Sequence, residues 1–174
     1  IGGDAGMGGA IRLAGEAALR VGAGLVSVAT RGEHVSALNA ARPELMARDV
    51  SGPQDLEALL LRSTVIAVGP GLGQRAWGHA LWLSAIASGK PSVFDADALN
   101  LLALDAPALP ANAVLTPHPG EAGRLIGRDT NAVHRPRSAA AGAIRDRTGS
   151  RDYGAAFRVL DVVHRFLMVV ATQY

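Results

Sequence analysis

Residues 64–104, TVIAVGPGLGQRAWGHALWLSAIASGKPSVFDADALNLLAL, decide the fold class of this chain. They contain two apolar segments of strand length, each followed by a turn rich in glycine or aspartate and then by a longer helix-like segment. The pattern predicts strands at 64–68 and 91–94 and helices at 76–88 and 98–104. Strands that alternate with helices at this spacing are typical of a parallel sheet with helices on its faces.

The same alternation extends in both directions from this segment. On the amino-terminal side the sequence predicts a strand at 25–29 and helices at 9–21, 33–41 and 56–61. On the carboxyl-terminal side it predicts a strand at 113–115 and a helix at 120–126. We therefore predict an α/β fold with a mostly parallel sheet and helices on both faces. Ligands of such sheets bind outside the carboxyl ends of the strands, where the turns after residues 68, 94 and 115 all lie.

The composition is that of one globular unit. Hydrophobic residues make up 49% of the 174 positions, and the mean hydropathy of +0.21 argues against disorder. Disulfides and thiolate chemistry are excluded because the chain has no cysteine. We expect a soluble, cytoplasmic protein without a membrane partner, since no apolar run reaches the roughly 18 residues of a membrane span. The formal net charge is only +2, and most of the arginine surplus follows residue 133, so no nucleic-acid partner is expected.

The segment LTPHPGE at 115–121 has the character of a binding site. Each proline restricts its own backbone and that of the preceding residue, so Thr116 and His118 are held out of a helix. Glu121 falls in the first turn of the predicted helix, where a carboxylate suits the positive end of the dipole and can also meet a cation. A rigid strand-to-helix turn would have the same pattern, and the segment alone leaves both interpretations open.

Two glycine-rich segments are ambiguous in the same way. GGDAGMGGA at 2–10 enters a helix, so its amides could hold an anion, although the lysine of a P-loop is missing. GPGLG at 69–73 directly follows a strand and offers bare backbone to a ligand. Each segment could equally be a plain turn.

The turn after residue 94 carries three polar side chains that can face one crevice, Asp95, Asp97 and Asn100. Two carboxylates and an amide suit a hydrated magnesium ion or ligand hydroxyl groups. Asp97 could instead be no more than the N-cap of the helix at 98–104.

Taken in order, these segments resemble the ADP- or ATP-dependent NAD(P)H-hydrate dehydratases, carbohydrate-kinase-like enzymes of nicotinamide nucleotide repair. The resemblance rests on GGDAGMGGAIRLAGEAALRVGAGLV at 2–26, AVGPGLG at 67–73, FDADALNLL at 94–102 and LTPHPGEAGRLIG at 115–127. It implies a ribokinase-like fold and a hydro-lyase that acts on hydrated NADH or NADPH. Such an enzyme uses ADP or ATP with Mg²⁺ to phosphorylate the substrate hydroxyl and then eliminates phosphate. A homo-oligomer is implied for the intact family member.

The resemblance also assigns site residues. It places Ala10, Gly71 and His118 at the positions that bind the hydrated dinucleotide. Further candidate contacts to substrate or metal are Asp95, Asp97, Asn100 and Glu121. His118 stands where related kinases have an asparagine, which favours the dehydratase over the first alternative, a kinase of the same fold that acts on a vitamin precursor. The second alternative is an inactive dinucleotide-binding fragment.

The resemblance covers residues 1–133 and then stops. Two later features of the family are missing from this chain: a strand that ends in Lys-Gly, and a Gly-Gly-x-Gly-Asp segment whose anion hole and aspartate base serve the reaction. No catalytic residue is therefore assigned. Residues 134–174 form an arginine-rich tail for which no fold is predicted, and the change in composition suggests a truncated or shifted reading frame. A first strand also looks incomplete before Ile1. We expect the chain to hold only the substrate half of the site, without turnover on its own.

Overall fold

The computed structural model describes residues 1–127 and 143–144, so most of the tail at 134–174 lies outside the described residues. Strands and helices alternate along the described chain. The strands are β1 Val26–Thr30, β2 Leu45–Asp49, β3 Ile66–Val68, β4 Ser92–Phe94 and β5 Ala113–Leu115. The helices are α1 Gly8–Arg20, α2 Gly32–Ala41, α3 Pro53–Arg62, α4 Ala76–Ala87, α5 Asp97–Asp105 and α6 Pro119–Ile126.

The described strands all pair in parallel, in two groups with the orders β1-β2 and β3-β4-β5. The first residues of the chain lie between the groups. The amide of Gly2 donates to the carbonyl of Ala29 at 3.1 Å on one side, and on the other side the amide of Gly69 donates to the carbonyl of Ile1, also at 3.1 Å. The two ladders therefore form one hydrogen-bonded layer, with residues 1–3 as the connection.

Helices cover both faces of this layer, as predicted. Val28 and Ala29 are neighbours in β1 and point to opposite faces. Val28 belongs to a buried cluster with Ile11 of α1, whereas Ala29 belongs to a larger cluster with Leu56 of α3 and Leu99 of α5. The α/β architecture with a parallel sheet is confirmed. No helix within the described part of the chain is long and apolar enough to cross a membrane.

Strand β2 is the element that the sequence pattern does not predict. Its buried residues are Leu45 and Ala47, which alternate with side chains that are partly or fully exposed. Two buried apolar residues are too few to give a periodic signal. The predicted short helix at 56–61 is also longer in the structure, because Pro53 occupies the first helical turn, where a proline is favoured.

Candidate functional site

Two of the predicted substrate positions lie against each other. Gly71 is in the turn after β3, and Ala10 is in the first turn of α1. Gly71 has a φ of +60°, and a Cβ on it would lie 2.8 Å from the Cβ of Met7 and 3.1 Å from the Cβ of Ala10. The amide of Asp4 donates to the carbonyl of Gly71 at 2.6 Å, which ties the glycine loop to the turn. Only glycine fits this contact, so the two predicted glycine-rich segments form one surface.

The carboxylate of Asp97 connects this surface to the next turn. One of its oxygens accepts a hydrogen bond from the amide of Gly73 at 2.9 Å. The other accepts from the side-chain amides of Asn100 at 3.3 Å and Gln74 at 3.4 Å. The interpretation of Asp97 as an N-cap is wrong, because the cap position is Ala96 and α5 begins at Asp97 itself. The side chain instead links β3 and β4 at their carboxyl ends.

The backbone around Asp95 is tightly constrained. Gly69 has a φ of +130°, and a Cβ there would lie only 1.7 Å from the carbonyl oxygen of Asp95. Ala96, the next residue, has a φ of +48°, a region that residues with a side chain rarely adopt. Such backbone strain concentrates at ligand sites, where the surrounding structure holds a fixed geometry.

His118 and Glu121 form a reciprocal cap on α6. The His118 Nδ1 atom accepts from the amides of Gly120 at 3.0 Å and Glu121 at 3.4 Å. In return, a carboxylate oxygen of Glu121 accepts from the backbone amide of His118 at 2.8 Å. Because Nδ1 accepts, Nε2 carries the proton of the neutral ring, and it lies 3.2 Å from the second carboxylate oxygen of Glu121. The His118 side chain is 44% exposed, so the ring remains accessible to a ligand.

Glu121 is the most perturbed acid of the site. Its pKa is raised from 4.5 to about 7, above all by burial and in addition by the nearby charges of Asp95 and Asp97. The hydrogen bond from His118 and the charge of Arg124 act in the opposite direction. Burial and the two aspartates disfavour the ionised form of Glu121. A cation bound next to Glu121 would favour that form and lower its pKa.

The predicted site residues therefore form a connected series along the carboxyl ends of the strands. Ala10 contacts Gly71, Asp97 binds the neighbouring Gly73, and the carboxylates of Asp95 and Asp97 act on Glu121, which pairs with His118. Asn100 also borders a cleft of about 440 Å³ between α5 and α6. Among the described residues, however, no three histidine, aspartate or glutamate side chains converge closely enough to hold a metal ion alone.

The structure adds one site residue that the sequence pattern does not single out. Asp4 lies inside the quoted glycine loop and is 4% exposed. Its carboxylate pairs with Arg31 at 2.9 Å and with Arg75 at 3.3 Å. The pairing with two arginines is invisible in the sequence because they lie 27 and 71 positions away. The sequence feature that could have indicated Asp4 as a site residue is its position as a single acidic residue among glycines.

Comparison with known proteins gives a consistent result. Residues 1–150 match a family model described as NAD(P)H-hydrate dehydratase, so the match extends beyond residue 133. A bifunctional NAD(P)H-hydrate repair enzyme of Coxiella burnetii is 53% identical over 137 residues, which are 79% of this chain and 28% of that protein. An ADP-dependent (S)-NAD(P)H-hydrate dehydratase of Lactiplantibacillus plantarum is 42% identical over 131 residues, 73% of this chain and 47% of that protein.

Solved structures show the same fold. A hypothetical protein of Streptococcus mutans superimposes with a TM-score of 0.76 at 31% identity, over 83% of this chain and 53% of that one. An ADP/ATP-dependent NAD(P)H-hydrate dehydratase of Bacillus subtilis, co-crystallised with ATP and Mg²⁺, superimposes with a TM-score of 0.70 at 25% identity, over 86% of this chain and 54% of that one. The chain thus spans about half the length of the solved relatives and 28% of the length of the bifunctional Coxiella relative.

Proposed function

Since this chain belongs to the NAD(P)H-hydrate dehydratase family, we propose that it binds hydrated NADH or NADPH and supplies the substrate half of a nucleotide-dependent dehydratase site. The observation that carries the proposal is the contact between Ala10 and Gly71, joined through Gly73 and Asp97 to the pair of His118 and Glu121. The positions that the resemblance assigns to the substrate are thus linked by a series of contacts and charge interactions, which supports the proposal.

The chain's own residues have distinct tasks in this proposal. Gly71 lets the turn after β3 pack directly on α1, where a Cβ would collide with Met7 and Ala10, and this packing sets the position of the turn that the dinucleotide would contact. Both ring nitrogens of His118 are engaged in the cap, so the imidazole orients the hydrated ring by packing its exposed part against it. Its position is set by the cap that it shares with Glu121, and this cap therefore determines where the hydroxyl of the substrate lies.

The carboxylates also fit the Mg²⁺ that would accompany the expected ADP or ATP. Glu121 and Asp95 would hold the metal, because a cation relieves the suppressed ionisation of Glu121, and Mg²⁺ commonly uses one or two carboxylates together with phosphate oxygens. The metal would offset the negative charge of the phosphates during transfer. The proposal includes cytoplasmic localisation. It assigns no base to this chain, because the Gly-Gly-x-Gly-Asp segment is missing, and we expect binding without turnover.

Calorimetry of the 174-residue chain with hydrated NADH tests the proposal. We expect the wild type to bind and Gly71→Ala to bind at least about tenfold more weakly, because the new methyl group displaces the α1 contact. Gly9→Ala is the matched control, since a Cβ at Gly9 meets nothing within 4 Å. If the wild type does not bind hydrated NADH, or if both variants lose the same affinity for it, the assignment of Gly71 to the substrate site is contradicted. Recovery of the reduced nicotinamide absorbance with ADP or ATP and Mg²⁺ would show that the expectation of binding without turnover is wrong.

A further inference from the structure

The glycine loop is fixed by a buried carboxylate between two arginines. The Asp4 side chain is 5% exposed and accepts from Nε of Arg31 at 2.9 Å and from Nη2 of Arg75 at 3.3 Å. The guanidinium of Arg31 also lies 4.3 Å from the centre of the Trp77 ring. Arg31 is therefore held on two sides, by a carboxylate and by an aromatic face.

Arg75 is held much less firmly. Its side chain is 80% exposed, and the pair with Asp4 uses only one of its terminal nitrogens. Because Arg31 already balances the charge of Asp4 at shorter range, the charge of Arg75 is largely available for another anion. Arginine suits phosphate in particular, since its planar group presents several donors in a fixed geometry.

The position of Arg75 places that charge at the rim of the proposed substrate surface. Arg75 is the N-cap residue of the 12-residue helix α4, whose positive end adds to its charge. The Asp4 carboxylate that pairs with Arg75 lies close to Gly73, where a Cβ would be 3.0 Å from it. The backbone amide of Asp4 donates to the carbonyl of Gly71 in the same turn. Arg75 thus adjoins the same turn that contacts Ala10.

The nearby acids are already engaged. Asp97 accepts three hydrogen bonds, from Gly73, Gln74 and Asn100. Glu33, at the start of α2, accepts from the amide of Gly6 at 3.3 Å and lies 3.4 Å from Nε2 of His34. These contacts reduce the competition that either carboxylate offers to an anion at Arg75.

We propose that Arg75, oriented by Asp4, binds a phosphate of the dinucleotide at the rim beside Gly71. This inference rests on the proposed function for the identity of the ligand and on the contacts of Arg75 for the site itself. A phosphate contact at Arg75 also sets the orientation of the ligand. The diphosphate lies on the side of Arg75, and the hydrated ring lies on the side of His118.

Inorganic pyrophosphate without Mg²⁺ is the direct probe of this site, with hydrated NADH as a second ligand. We expect Arg75→Gln to bind each about tenfold more weakly than the wild type, because it removes one charged contact. Arg75→Lys restores the charge and should recover most of the affinity for pyrophosphate. The matched control is Arg62→Gln, which changes an exposed arginine at the carboxyl end of α3 and should bind as the wild type does.

The two ligands separate this inference from the proposed function. Hydrated NADH binding that is unaffected by Arg75→Gln would overturn the inference and leave the proposed function in place. Pyrophosphate binding that depends on Arg75, in a chain that does not bind hydrated NADH, would support the anion site and contradict the proposed function. If the wild type does not bind pyrophosphate, or if Arg75→Gln and Arg62→Gln weaken its binding equally, Arg75 is not an anion site.

Discussion

Replacing Glu121 by glutamine should stabilise the fold at neutral and alkaline pH. Burial first, and then the charges of Asp95 and Asp97, raise the pKa of Glu121 from 4.5 to about 7, although the hydrogen bond from His118 opposes this shift. The folded chain therefore binds this proton more tightly than the unfolded chain does, and ionisation of Glu121 destabilises the fold. Glutamine has the same shape and no charge, and its oxygen can still accept from the His118 amide.

The sign and size of the effect follow from the two pKa values. Below the unfolded pKa of 4.5 the group is protonated in both states, so its contribution is constant. Between 4.5 and about 7 the folded state holds the proton and the unfolded state releases it, so stability falls as the pH rises and then levels off. A tenfold change in proton affinity is worth about 1.4 kcal/mol, which gives a loss of about 3 kcal/mol at most.

Urea denaturation followed by circular dichroism measures this difference. The free energies of unfolding of wild type and Glu121→Gln should be similar near about pH 4.5 and should differ by up to about 3 kcal/mol near about pH 8.5, with the variant more stable. Glu57→Gln, which changes an exposed acid on α3, is the control and should show no such divergence. A difference for Glu121→Gln that is the same at both pH values would refute the reasoning, because it would have no link to ionisation.

Three further substitutions test the geometry of the site. Gly69→Ala should destabilise the fold by more than about 3 kcal/mol in urea denaturation, because its Cβ would lie 1.7 Å from the carbonyl oxygen of Asp95; a loss below about 1 kcal/mol would contradict this contact. Ala96→Gly should raise the free energy of unfolding by about 1 kcal/mol, since relief of about 1–3 kcal/mol of strain at a φ of +48° exceeds the entropy cost of glycine; a loss of stability would contradict the strain. His118→Asn should leave stability within about 1 kcal/mol, because asparagine is also a good N-cap, while calorimetry should show about tenfold weaker binding of hydrated NADH. Unchanged binding by that variant would remove His118 from the substrate contacts.

Elements with strong local signals were predictable from the sequence. The boundaries of α4 and β5 differ from the predicted ones by one residue or less, because apolar segments there are bounded by glycine or proline. The start of α6 was also predicted, since both prolines, His118 and Glu121 lie within five residues, whereas the reciprocal cap between His118 and Glu121 was not. The ribokinase-like fold and the family were predicted from four segments that are distant in sequence. The family model confirms the family, and the superposition on a ribokinase-like superfamily protein of Enterococcus faecalis confirms the fold.

Contacts between distant residues were not predictable in the same way. From the sequence alone, Asp97 could be either the N-cap of a helix or a side chain that faces the crevice. The amide of Gly73, which binds the Asp97 carboxylate, is 24 positions away and gives no local signal. The ion pairs of Asp4 have no local pattern at all, since its partners belong to the starts of two other helices. The predicted roles of Ala10 and the other substrate contacts stay predictions, although the structure places Ala10 against Gly71.

The charges around the glycine turn are arranged with opposite signs on its two sides. On one side Arg75 is exposed beside a carboxylate that Arg31 already neutralises. On the other side the charges of Asp95 and Asp97 act on Glu121, whose ionisation is suppressed. A ligand with a diphosphate at one point and a site of metal-assisted phosphorylation at another is complementary to both sides at once. A ligand with a single charge would match only one side. Pyrophosphate should therefore displace hydrated NADH from the wild type, and about tenfold more pyrophosphate should be needed for the same displacement from Arg75→Gln. An unchanged requirement in this variant would show that the two ligands meet elsewhere.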